Sequence, residues 1–343
     1  LVGKAVLFGV LASIDLAVQI PLYFAAIFIG IYQLFTAMIN FITYYLYRKD
    51  QVEPRLRFLI DVIWLSVLGI ASVFVSGTQL VVQTFIIGSY LVLYGLTNLR
   101  DGFIFEESIE QQSLKRHVRL TLPLFIAALV PRMTLQRIND FLADNKGQTP
   151  QSVYNGHKDI ARVPSLEVFI HVGEEGFGVV GHVDLSYKGR IYGYGSYDVL
   201  SERLGGAIGD GVLFKAERQA YIDFCTQEGM TILGYQMVLS PEQEAAIEER
   251  LDEIDKLLVP WNPSSEKVSK TADGQAIEMY AYRIKEEIGA ELFKFRKSKF
   301  KTYFVLSTNC VLLADSVIGQ AGTDILGIRG FIAPGTYQTY LDQ

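Results

Sequence analysis

The sequence predicts an α-helical membrane domain followed by an α+β domain built on an antiparallel sheet. Three observations carry this. Half of the 343 residues are hydrophobic, a large share for a water-soluble chain of this length. The apolar residues concentrate in long runs before residue 130, whereas the chain beyond Asn139 alternates apolar and charged residues. Between the two, a polar stretch holding Asn145-Lys146-Gly147 and Asn155-Gly156-His157 has the composition of a linker. The expected organisation is a membrane domain over 1–138, a linker over 139–164 and a second domain over 165–343.

In the first half, four apolar stretches, Ala5–Ile20, Leu22–Tyr47, Phe58–Val75 and Leu80–Leu99, approach the length needed to cross a hydrocarbon core of about 30 Å. They lack the polar face that a helix of a soluble core presents to water. The pattern Gly30-Ile31-Tyr32-Gln33-Leu34 with Asn40 recurs as Gly88-Ser89-Tyr90-Leu91-Val92 with Asn98, so the repeating unit is a helical hairpin. Uncharged turns lie at one end. The other end carries Lys4, then Arg48, Lys49, Arg55 and Arg57, then Arg100, Lys115, Arg116 and Arg119, and the positive-inside rule turns that end to the cytoplasm. Asp15 and Asp61 read as acids at helix ends near water. Val118–Pro131 alone reads as an interfacial helix, but the phase of the repeat makes it the first helix of a third hairpin. Five crossings then leave the C-terminal domain outside the cytoplasm.

In the second half, Leu166–Val172, Val179–Tyr187 and Arg190–Tyr194 read as an antiparallel meander, with Lys188-Gly189 as the second turn. Helices follow at Lys215–Glu228 and Pro241–Leu258, the latter with Ser240 as cap, Pro241 at its first position and Gln243 completing a capping box. Asn262–Gln275 reads as a polar loop and Tyr303–Leu306 as a short strand. Asn309 then caps a helix that ends at Gly319, and Cys310 lies in its first turn. Free N–H groups and the helix dipole there stabilise a negatively charged sulfur. The first-turn amides, with Asn309 and Val311 on either side of Cys310, are candidate donors to an oxyanion.

The net charge of -6 is mixed in sign and forms no basic stripe, so nucleic acid is not an expected partner. Two cysteines, Cys225 and Cys310, exclude a disulfide-built scaffold. Cys225 sits with Tyr221 and Phe224 on the apolar side of a helix, as a small buried hydrophobe does. No histidine pair stands one helical turn apart and no glycine-rich loop follows a strand with phosphate-binding spacing, so neither a metal nor a cofactor is expected. His182 lies within a strand, where a histidine needs a polar partner. His117 and His157 read as a loop and a linker residue.

Several of these motifs together carry a resemblance. The tandem hairpins of the first 135 or so residues resemble the HdeD-like family of small bacterial membrane proteins. Gly181-His182 on a strand, a following strand rich in Tyr and Gly, and Asn309-Cys310 opening a late helix resemble the permuted papain-like domains of the NlpC/p60 superfamily, which include the LRAT-like acyltransferases. Ile191-Tyr192-Gly193-Tyr194-Gly195-Ser196-Tyr197-Asp198, Tyr303-Phe304 and Pro334-Gly335-Thr336-Tyr337 narrow the likeness to the Lnb family of bacterial lipoprotein N-acyltransferases, over Leu166–Tyr340. In that family the membrane helices follow the thiol domain; here they precede it.

The resemblance implies a circularly permuted papain-like fold with Cys310 as nucleophile and His182 as its base, in the bacterial inner membrane. It also implies a third polar group that orients the imidazole. The strand after the histidine offers Tyr192, Tyr194 and Ser196, while a hairpin through Gly176 sets His171 opposite His182; Tyr194 and His171 stand equal as candidates. Membrane lipid is the implied acyl donor and a lipoprotein amine the acceptor. A cell-wall peptidase or amidase acting on peptidoglycan, and a non-catalytic membrane adaptor, stay open beside it.

Overall fold

The computed structural model describes residues 27–74, 133, 164–172, 181–265, 269–270 and 276–321. The apolar stretches Ala5–Ile20 and Leu80–Leu99, the second copy of the hairpin motif, Val118–Pro131, the linker up to residue 163, the turn at Gly176 and the Pro334–Tyr337 motif lie outside them. The chain divides into two compact units, Leu1–Phe105 and Glu106–Gln343.

In the first unit, α1 (Ile27–Lys49) and α2 (Leu56–Phe74) are long and apolar enough to cross a membrane. Their 23 and 19 residues rise about 34 Å and 28 Å, close to the thickness of a hydrocarbon core. Lys49 ends α1, and the loop that follows holds Arg55. The two helices touch through glycine. A Cβ on Gly30 would stand 2.8 Å from Val73 Cγ2 and 3.0 Å from the Gly69 carbonyl, and one on Gly69 would stand 2.7 Å from Leu34 Cγ. Backbones approach this closely only where no side chain intervenes. The seam also buries Gln33 and Ser72. Phe28, Ile31, Phe35, Met38 and Phe41 of α1, with Ile60, Ile63, Trp64, Val67 and Ile70 of α2, face outward. Asp61 is the sixth residue of α2, near its N-terminal end.

The second unit is an α+β region around a seven-stranded antiparallel sheet. In chain order come β1 (Leu166–Val172), β2 (His182–Tyr187), β3 (Arg190–Gly195), β4 (Ile208–Asp210), β5 (Val212–Glu217), α3 (Arg218–Gln227), β6 (Thr231–Met237), α4 (Pro241–Asp255), β7 (Leu258–Pro260), β8 (Ser269–Lys270), β9 (Ala276–Ile277), α5 (Tyr280–Ile288), β10 (Glu291–Phe295), β11 (Thr302–Phe304) and α6 (Cys310–Ile318). The sheet order is β6-β1-β2-β3-β5-β10-β7, with β4 and β11, and β8 and β9, as separate pairs.

Local chemistry explains the elements that place the site. Lys188 and Gly189 both adopt positive φ, 47° and 80°, the geometry of the two-residue turn that joins twisted strands. It sets Tyr187 opposite Arg190 and Asp184 opposite Gly193. The capping box of α4 forms as read, with Ser240 and Gln243 each bonding the other's backbone N–H. The helix expected over Lys215–Glu228 begins later, at Arg218. Glu217 caps it by accepting from the N–H groups of Gln219 and Ala220, and Lys215 belongs to β5.

Strand alternation divides the sheet into two faces. Leu166, Val168, Ile170, Val183, Leu185, Tyr194 and Leu213 pack on one face with residues of α4 and α6. Phe169, Ile191, Val212, Phe214 and Ala216 pack on the other with residues of α3 and α5.

Candidate functional site

Cys310 is the first residue of α6, and the loop before it is tied down on both sides. Asn309 Oδ1 accepts from the Leu312 N–H at 3.2 Å, while Asn309 Nδ2 donates to the Val305 carbonyl at 2.8 Å. The Thr308 hydroxyl donates to the Thr302 carbonyl of β11 at 2.8 Å. Asn309 is therefore spent on capping and anchoring. The N–H groups of Cys310 and Val311 belong to the first turn, whose amides have no acceptor within the helix. The thiol is largely buried, at 4% exposure.

His182 opens β2, and the register sets it directly opposite His171 of β1. Two residues on, Asp184 points to the same face, fully buried. His182 Nε2 stands 2.9 Å from Asp184 Oδ1 and also 2.9 Å from the Tyr197 hydroxyl. The other carboxylate oxygen, Oδ2, accepts from the Tyr221 hydroxyl of α3 at 2.6 Å. His171 Nε2 lies 2.8 Å from the same oxygen but without the alignment of a hydrogen bond. Nε2 is thus occupied twice, and the Cys310 sulfur is near enough to interact with the same imidazole. The His182 side chain keeps 27% of its surface exposed, against 5% for His171.

Burial disfavours a charged imidazole here, but the Asp184 carboxylate and then the Cys310 sulfur outweigh it and hold the His182 pKa well above the ordinary 6.5. Burial would likewise raise Asp184, yet His182 first and His171 next hold its carboxyl far below the usual carboxylate range. Tyr197 and Tyr221 are pushed well above the ordinary phenol value by burial and then by the negative charge of Asp184. Tyr303 of β11 is raised by burial and then by the Cys310 sulfur, which places that ring beside the thiol.

The group bonded to the imidazole is thus Asp184, not Tyr194. Asp184 pairs with Gly193, so Tyr192 and Tyr194, one residue to either side, project from the opposite face of the sheet. The Tyr194 hydroxyl donates to the Phe300 carbonyl at 3.0 Å and reaches the Thr308 carbonyl at 3.4 Å, bracing the loop that leads to Cys310. His171 approaches the site through Asp184. Sequence reading also misses Tyr197 and Tyr221. The signal for Asp184 is its spacing of two from His182 within a strand; no comparable signal marks Tyr221, which arrives from a distant helix.

The glycines of the Tyr-Gly-Tyr-Gly run make room on this face. A Cβ on Gly193 would stand 2.2 Å from Phe214 Cε1 and 2.8 Å from Asp184 Oδ1, and one on Gly195 would stand 2.8 Å from Tyr197 Cζ. Ordinary side chains there would displace the carboxylate and the ring that hold His182.

Cys225 is fully buried, and burial followed by the charge of Asp184 pushes its thiol up to about 12. Such a thiol is inert at neutral pH. Both cysteines are free, and among the described residues no group of three or more His, Cys, Asp or Glu is placed to hold a metal ion. No family model, curated protein or solved structure matches this chain.

Proposed function

We propose that this chain is a membrane-anchored cysteine acyltransferase whose C-terminal unit is a permuted papain-like thiol domain. The observation that carries the reading is Cys310 at the start of α6, interacting with an imidazole whose Nε2 is held by a buried carboxylate. That set provides a nucleophile, a base and an orienting anion. The chain order, histidine on a strand before cysteine on a helix, supports the permuted arrangement. Two helices long and apolar enough to span a bilayer support a lipid as acyl donor.

In this reading His182 takes the proton of the Cys310 thiol, and the sulfur attacks the carbonyl carbon of a phospholipid ester. The tetrahedral oxyanion accepts hydrogen bonds from first-turn N–H groups, those of Cys310 and Val311. On collapse the carbon–oxygen ester bond breaks, His182 returns its proton to the departing lysophospholipid alkoxide, and Cys310 carries the acyl group as a thioester. An amine, such as the N-terminus of a lipoprotein, then attacks the thioester. His182 takes the amine proton and delivers it to the sulfur as the amide forms. The acyl chemistry belongs on the extracytoplasmic side of a multi-pass inner-membrane protein, where the positive loops of the hairpins orient it.

The test is to incubate the full-length protein, reconstituted in phosphatidylethanolamine and phosphatidylglycerol vesicles, with a phospholipid carrying an isotope-labelled acyl chain. Mass spectrometry should find one lysophospholipid released for each labelled acyl group gained by the protein, and neither from Cys310→Ala. Cleavage of peptidoglycan fragments by the wild type without lysophospholipid release would replace this reading with a peptidase or amidase.

A further inference from the structure

The Asp184 carboxylate has more partners than one imidazole requires. Titratable groups face it from every side: His171 from β1, His182 from its own strand, Tyr197 from the segment after β3 and Tyr221 from α3, with Cys225 of α3 and Tyr280 of α5 behind it, while Cys310 of α6 interacts with His182. β3 and β5 contribute only Gly193 and Phe214. The aligned donor on the oxygen that faces away from His182 is Tyr221, at 2.6 Å. Tyr221 is itself fixed: its ring is fully buried, packs against Phe214 with centroids 5.2 Å apart, and its oxygen accepts from the Tyr280 hydroxyl at 3.4 Å. With its oxygen accepting from behind, the Tyr221 proton is directed at Asp184.

We infer that Asp184 is a positioning residue for the Cys310–His182 pair, and that Tyr221 is the fixed donor that keeps its carboxylate ionised and aimed at His182. The inference rests on the reading of Cys310 as a nucleophile but not on the nature of its substrate. His182 serves one carboxylate oxygen and the Tyr221 hydroxyl the other. Without that hydroxyl the buried carboxylate would lack an aligned donor on Oδ2, and a buried carboxylate short of partners is costly enough to draw a proton onto itself. Protonated, Asp184 would no longer fix the tautomer of His182. A hydroxyl whose own proton is held firmly, as burial and Asp184 hold that of Tyr221, stays a donor to the carboxylate. His171 approaches the same oxygen as Tyr221 from the neighbouring strand β1.

The test needs no lipid substrate. The rate at which iodoacetamide alkylates Cys310 in the full-length protein is followed by peptide mass spectrometry from pH 5 to 9 for the wild type, Asp184→Asn, Tyr221→Phe and the double variant. Tyr221→Phe, which keeps the ring, should slow alkylation about tenfold at pH 7, the worth of one hydrogen bond to a buried charge, with the deficit growing toward acid pH. Asp184→Asn should slow it further, and the double variant should match Asp184→Asn, because the hydroxyl acts only through the carboxylate. Equal slowing of Tyr221→Phe at every pH, an unchanged rate, or additive losses in the double variant would overturn the inference. Slowed alkylation with no lysophospholipid release would leave it standing while removing the lipid reading.

Discussion

Asp184 stands two residues after His182 on one strand, and its Oδ1 meets His182 Nε2 at 2.9 Å. An imidazole and the carboxylate that holds it thus come from a single tripeptide, with the pleat alone bringing them to one face. The arrangement depends on Gly193, the cross-strand partner of Asp184, having no side chain. Gly193→Ala should drive a methyl group into Phe214 and the carboxylate. We expect the melting temperature to fall, with a loss of about 1–3 kcal/mol typical of an overpacked core, and Cys310 alkylation to slow by more than the stability loss explains. Thermal melts and labelling kinetics on the same preparation check both.

Tyr194→Phe separates bracing from chemistry. Its hydroxyl bonds the Phe300 and Thr308 carbonyls on the face of the sheet opposite Asp184. Removing it leaves buried acceptors short of a donor, which costs about 1–3 kcal/mol. The pH dependence of Cys310 alkylation should keep its wild-type shape, because the groups on His182 are untouched. Denaturant melts and the labelling profile measure the two effects.

The fold was legible where short-range chemistry decides it. The Lys188-Gly189 turn, the Ser240/Gln243 capping box and the Asn309 cap each follow from two to four adjacent residues. β5, β6 and β10 were not, because their pairing is long-range. Val212–Glu217 carries Lys215 and Glu217 and runs straight into α3, so its charges read as the first turn of a helix. In the site, Cys310 and His182 stand out by residue type and local setting. Asp184 was within reach: a two-residue turn at 188–189 puts Gly193 opposite position 184 and turns Tyr192 and Tyr194 to the other face. Tyr221 was not, since only the packing of α3 on the sheet brings it to the carboxylate.

The pair should also mark the pH dependence of stability. The folded-state value of His182 is raised, so its contribution is complete below the unfolded value of about 6.5 and is lost as pH climbs through the folded value. Asp184 is lowered, so its contribution is complete above about 3.9 and is lost as pH falls toward its folded value. From these two groups, the melting temperature of the full-length protein should hold between about pH 4 and 6.5 and decline above that window. His182→Gln should remove the alkaline decline, which melts across a pH series will show.

In the helical hairpin, Gly69→Leu should force α1 and α2 apart, since even a Cβ there would lie 2.7 Å from Leu34 Cγ. The expected result is loss of a disulfide cross-link engineered across the seam in membranes, with the alkylation rate of Cys310 unchanged.

The most direct measurement is the intact mass of the wild type and of His182→Ala after incubation with acyl-labelled phospholipid vesicles and no amine acceptor. The wild type should gain one acyl group on Cys310, released by neutral hydroxylamine as a thioester is, and His182→Ala should gain none. Equal acylation of both proteins, or a wild-type adduct that maps to any residue other than Cys310, would contradict the account.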